Sequence, residues 1–242
     1  MARVSTDLTG NGLGFYALAS GLVPSPFEKD NRYFPTDMVP LSVLDLGVLR
    51  VPSGRVEACD PFVCLGDGLV FEVGPGDYPV RVTIADVSKD HDGSHERNAY
   101  LSLVLADGEP TAVEAAVPLR GPGHVGVDSG MVAFVDAQAA VAMADLADGA
   151  NLYDDFEPEP WCVPVDSPEH YREGMANIVM PLEREGENII MVSSGWGDGY
   201  YPVMLTRAAD GTALGLHTTW ASWAGRRAGP EAHGGPGWLP VI

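Results

Sequence analysis

Tyr201-Pro202-Val203-Met204-Leu205-Thr206-Arg207-Ala208-Ala209-Asp210-Gly211-Thr212-Ala213-Leu214-Gly215-Leu216-His217 reads as two β-strands folded about one tight turn. Asp-Gly favours a hairpin because glycine takes positive φ without a Cβ penalty and aspartate tolerates it. Apolar residues on both flanks give each strand a face to bury. The same punctuation recurs at Asp67-Gly68, Asp92-Gly93, Asp107-Gly108, Asp148-Gly149 and Asp198-Gly199. Between these turns, residues 78–85 alternate apolar and polar side chains, as a half-buried strand does. Residues 100–105, 112–117, 132–135 and 189–192 are further strands, and 48–51 and 55–59 flank a Pro52-Ser53-Gly54 turn. Two helices are predicted. Asp136 caps the alanine-rich run 137–147, which stops at Asp148-Gly149. Ser167-Pro168-Glu169 has the composition of a helix start and predicts a short helix through Tyr171 and Arg172. The expected fold is β-rich α+β, either a sandwich or a curled antiparallel or mixed sheet, with about two helices.

Composition divides the chain into an irregular Gly- and Pro-rich arm over 1–45, one β-rich domain over 46–224 and a Gly/Pro-rich tail over 225–242. A chain of 242 residues is long enough to bury a core without staples. Cys59, Cys64 and Cys162 are too few and too irregularly spaced for a disulfide framework, and Cys59 and Cys64 are expected to be buried small hydrophobes. No apolar run reaches the roughly 18 residues of a membrane span. The N-terminus lacks the apolar stretch of a secretion signal, so the expected location is the cytoplasm.

Charge is the most unusual bulk property. Fourteen basic against 34 acidic residues give a net charge of −20. This disfavours nucleic acid, which is held through its phosphates, and anionic membrane surfaces. Between Arg120 and Arg172 there is no Lys or Arg, while ten acids occur there, among them Asp145, Asp148, Asp154, Asp155, Glu157 and Glu159. Such an interval is a docking surface for a basic protein or a solvated face that keeps the chain soluble.

Several motifs fail on mechanism. Gly121-Pro122-Gly123-His124-Val125-Gly126 matches the dinucleotide pattern but leads into a strand, where pyrophosphate needs a helix N-terminus. The glycine of Asp90-His91-Asp92-Gly93-Ser94-His95-Glu96 comes too early for an EF-hand, and its histidines read as solvated loop residues. No metal ligand set and no cofactor is assigned.

Three segments exceed what periodicity requires. In Ala58-Cys59-Asp60-Pro61 a carboxylate ends a strand. His124-Val125-Gly126-Val127-Asp128-Ser129-Gly130 places a histidine and a second carboxylate together. Ser194-Gly195-Trp196-Gly197-Asp198-Gly199-Tyr200-Tyr201 is a backbone-permissive loop with two aromatic residues beside a third carboxylate. With Pro75-Gly76-Asp77-Tyr78-Pro79-Val80, these blocks resemble, in order, a bacterial family defined only as a domain of unknown function. The resemblance spans roughly 47–220 and implies no reaction.

Two readings follow. One is an acidic binding protein, an immunity-like neutraliser of a basic partner. The other is a small-molecule enzyme with a carboxylate-lined site of Asp60, Asp128 and Asp198. His124 is its further catalytic candidate, and Ser194, Trp196, Gly197 and Tyr200 are its ligand-binding candidates.

Overall fold

The Asp210-Gly211 hairpin forms as read. Gly211 sits at φ 88°, and the Ala208 N–H donates to the Thr212 carbonyl at 2.9 Å across the turn. The computed structural model describes residues 13–26, 37–121, 123–157, 159–182 and 186–220. The tail 225–242, and arm residues 1–12 and 27–36, lie outside the described residues. Along the chain run β1 (Gly21–Pro24), β2 (Met38–Val51), β3 (Arg55–Cys59), β4 (Leu69–Glu72), β5 (Gly76–Asp86), β6 (Glu96–Val104) and β7 (Ala112–Ala115). They are followed by β8 (His124–Val127), β9 (Met131–Asp136), α1 (Ala137–Ala147), α2 (Cys162–Val165), β10 (Met175–Val179), β11 (Asn188–Ser193), β12 (Gly199–Arg207) and β13 (Ala213–Thr219).

The pairings are antiparallel, and the strands form two sheets. The larger runs β1-β2-β5-β6-β13-β12-β7, with β8 also on β12, and curls as a half-barrel. The smaller runs β10-β11-β9-β3-β4. Of the two architectures expected, the curled antiparallel sheet is present, with the second sheet laid against it. Val132, Phe134, Ile190 and Val192 of the small sheet join Val80, Val82, Leu101 and Leu103 of the large one in one buried core. Ala133, Val135, Ile189 and Met191 point the other way, into a second core under α1 and α2. A sheet covered on both faces accounts for continuous apolar runs in β9 and β11 where one-sided strands would alternate.

The Pro52-Ser53-Gly54 turn carries the chain from one sheet to the other, since β2 and β3 belong to different sheets. Gly54 adopts φ 74° there. Asp136 locks this corner. Its Oδ1 accepts from the Gln138 and Ala139 N–H groups and caps α1, while its Oδ2 accepts from the Ser53 N–H at 2.8 Å. Asn188 and Asn177 tie β11 and β10 to β2 through bonds to the Val48 and Leu46 carbonyls at 2.9 Å each.

Three local expectations are corrected. Ser167-Pro168-Glu169 forms a turn, closed by the His170 N–H on the Ser167 carbonyl, and the second helix is Cys162–Val165 instead. The chain must reach β10 at Met175 through Gly174 at φ 77°, and the Arg172–Met175 bridge already occupies the end of that connection. β2 begins at Met38, inside the stretch expected to be irregular. Its Pro40 is tolerated because β5 pairing starts one residue later, at Leu41. β4, β8 and β10 were not among the expected strands; each is only four or five residues long.

Residues 13–20 lie on the large sheet. Phe15 meets the rings of Tyr100 and His217 edge-on at 4.9 and 5.4 Å, and the Leu18 N–H donates to Thr83 Oγ1. His217 is sealed beneath, its two ring nitrogens 2.9 Å from Ser102 Oγ and Thr206 Oγ1. Burial drives its pKa down to about 3. An unfolded histidine titrates near roughly 6.5. Between these values the unfolded chain takes up a proton that the folded one refuses. This stabilisation is therefore complete above about pH 6.5 and is lost as pH falls towards 3. Urea midpoints measured from pH 7 to 4 should decline with a contribution of up to one proton from this site. A His217→Gln variant should be less stable at pH 7 and should lose that part of the acid dependence.

Candidate functional site

Asp60 follows the last residue of β3 and is fully buried. A buried carboxylate needs several donors in place of water. Oδ1 accepts from the Phe62 N–H at 3.1 Å and Ser129 Oγ at 2.5 Å, and Oδ2 accepts from the Asp128 and Ser129 N–H groups at 2.9 and 2.8 Å. One side chain thus joins the exit of β3 to the turn between β8 and β9. The Asp-Ser-Gly block exists, in structural terms, to donate to the Asp-Pro block.

A cleft of about 930 Å³ opens beside this node. Phe62 and Val63 from the exit of β3, Ser129 and Met131 from the entry of β9, and Ser193 and Gly195 from the exit of β11 contribute to its lining. Three of the four sequence blocks therefore meet or adjoin there. The polar floor comes from the entry of β6. Asn98 is almost fully buried, and its Nδ2 donates to the Ser193 carbonyl and Oγ at 2.8 and 3.1 Å. Arg97 Nη1 donates to the Gly195 carbonyl at 2.9 Å, its Nε donates to His95 Nε2 at 3.0 Å, and its guanidinium lies 5.7 Å from the Trp196 ring centre. Gly195 has φ 76°, and a Cβ there would stand 2.7 Å from the Asn98 carbonyl oxygen. Glycine is what lets this loop reach both Asn98 and Arg97.

The far wall belongs to the connection between α1 and α2. Tyr153 donates to Asp166 Oδ2 at 2.7 Å. That bond, and then burial, pushes the Tyr153 pKa up to about 12. Arg172 pairs with Glu96 at the rim.

A second cleft of about 540 Å³ lies between β8, β12 and the loop after β3. His124 and Tyr200 meet edge-on there at 4.8 Å, and Asp128, Asp67 and Cys64 share the lining. Cys64 is half-buried rather than sealed in the core; Cys59 is fully buried. Burial raises the Cys64 pKa, which keeps it a thiol rather than a nucleophilic thiolate.

The structure thus gathers the candidates into three places. Asp60 is walled in. Asp128 and His124 face the second cleft with Tyr200. Asp198 is exposed beside Gly199, whose partner Val127 precedes Asp128. Ser194 Oγ and Tyr201 Oη both donate to the Gly197 carbonyl at 2.7 Å, so these groups fasten the loop to itself. Trp196 and Tyr200 do not form one wall: Trp196 lies against Arg97, while Tyr200 lines the second cleft. Arg97, Asn98 and Arg172 were missed by sequence reasoning. The only signal for Arg97 and Asn98 was the polar run Glu96-Arg97-Asn98 at the head of an otherwise apolar strand, and Arg172 carried none. Among the described residues no group of three His, Cys, Asp or Glu side chains is placed to hold a metal ion.

The model of a family described as Protein of unknown function (DUF4241) matches residues 49–218, so the chain belongs to that family. All four sequence blocks fall within the matched span. No curated protein and no solved structure matches the chain.

The two carboxylates at the ends of this region should respond differently to neutralisation. Asp60→Asn leaves one oxygen and an NH2 group facing three N–H donors and a hydroxyl. It should cost about 2–4 kcal/mol in urea unfolding. Asp198→Asn should stay within about 0.5 kcal/mol of the parent chain. Equal effects would remove the structural role assigned to Asp60.

Proposed function

We propose that this DUF4241 protein acts by binding, docking a basic protein partner on the acidic layer formed by α1, α2 and their connection. The supporting observation is where the acids lie. Asp145, Asp148, Asp154, Asp155, Glu157 and Glu159 are all exposed on this one layer, and no Lys or Arg occurs from 121 to 171. Val141, Leu146 and Val163 are 42%, 50% and 51% exposed among them, giving the layer apolar contacts within a charged surround. Unpaired negative charge of this density accelerates encounter with a positive surface and rejects acidic competitors. The protein is thus an immunity-like neutraliser that covers the basic working surface of its partner. The enzyme reading draws less support, because each oxygen of Asp60 already accepts two hydrogen bonds within the fold.

Capture from lysate at low salt, followed by titration of the purified partner, tests this reading. Raising salt from about 0.05 to 0.5 M shortens the screening length roughly threefold and should weaken binding at least about tenfold. A combined Asp154→Asn, Asp155→Asn, Glu157→Gln and Glu159→Gln variant should bind weakly at every salt concentration and melt like the parent chain. A partner held equally well at high salt, and by this variant, would sink the proposal.

A further inference from the structure

The 930 Å³ cleft opens at the edge of that acidic layer, but its chemistry is of another kind and does not depend on the docking reading. We infer that it is a binding site for a small zwitterion of the amino-acid or short-peptide class, with the carboxylate on Arg97 and the ammonium towards Asp166 and Glu173.

Arg97 is one of only 14 basic residues in a chain of net charge −20, yet it is fixed in the lining of the larger of the two clefts described above. Three contacts hold it: His95, the Gly195 carbonyl and the Trp196 ring. They engage two of its five N–H donors and the guanidinium face, leaving a planar edge suited to a carboxylate. The neighbouring floor is equally rigid. Asn98 is locked onto Ser193, and Ser193 Oγ, acting there as an acceptor, keeps its own proton for a ligand oxygen. Arg172, the other cation in the lining, is matched by Glu96 and adds little net positive charge. Asp166, which accepts from Tyr153, and Glu173 add two acids to the same lining.

A lining in which acids outnumber cations selects against ligands with several negative charges, such as nucleotides or phosphates. It favours a ligand that carries one charge of each sign. Phe62, Ile84, Met131, Val165 and Met175 supply apolar walls for the body of such a ligand. The volume exceeds what a single amino acid fills and lies in the usual range for drug-sized ligands, which favours a short peptide.

Calorimetric titration and thermal shift on the full chain test the inference with the dipeptide Ala-Leu, free leucine, Ala-Leu amide, N-acetyl-Ala-Leu and inorganic phosphate. Ala-Leu should bind and raise the melting temperature. The amide should lose about tenfold or more in affinity, the scale of one charge-assisted pair, and phosphate should be inert. Arg97→Gln should lose Ala-Leu binding. Because that change also loosens the Gly195 loop, Glu173→Gln provides a second arm on an exposed residue. It should weaken Ala-Leu and leave N-acetyl-Ala-Leu unchanged. Silence from both leucine and Ala-Leu, equal binding of Ala-Leu and its amide, or binding of phosphate alone would overturn the assignment.

Discussion

The Asp60 carboxylate is the constraint on which the end of the small sheet beside both clefts depends. It sits out of water at the exit of β3 and draws four donors, one from its own turn at Phe62 and three from the distant Asp128-Ser129 segment. A charge there is tolerable only because both oxygens are fully coordinated. In return it fixes where β9 begins, and hence where Ser129 and Met131 enter the cleft wall. Asp136 does the same at the other end of the small sheet. One carboxylate caps α1 and holds the corner where the chain changes sheets. Two buried acids thus set the ends of the sheet that carries both cores.

That sheet explains how the surface is divided. Its inner face meets the half-barrel, and its outer face is covered by α1 and α2. The covering layer is short of basic residues, so the negative charge collects on one side. The cleft opens at the edge of this layer, where β6 and β11 bring Arg97, Asn98 and Ser193 together. A protein of strong overall negative charge therefore has a positive group in the lining of the larger of the two clefts described above. The charged exterior and the lining of the cleft are thus of different chemical character.

Much of the fold was legible in the chain. The Asp210-Gly211 hairpin, the alternation of 78–85 and the Asp136-capped helix are local signals, and local backbone preference with burial on one face decided them. The second helix was misplaced because the signature at Ser167-Pro168-Glu169 competes with a nearby obligation to enter β10. The start of β2 was missed because prolines and glycines mask a strand whose partners lie far along the chain. For the candidate site, the segments holding Asp60, Ser129 and the glycine-rich loop were legible as features, and the fold brings them to one cleft. Their roles were not legible, because a carboxylate in a turn reads alike whether it faces ligand or backbone.

The sequence by itself determined the class of fold, the turn positions and the sign of the net charge. Those depend on residues near one another in the chain. Only the tertiary structure decided that Asp60 is sealed, that Trp196 packs against Arg97 while Tyr200 lines the second cleft, and that Arg97 lines the first. Each of these rests on contacts between segments 60 to 100 residues apart, such as Asp60 with Ser129 (69 residues) and Arg97 with Gly195 (98 residues). The pairing register that creates such contacts is set by which faces are buried against one another, and no local pattern carries that information.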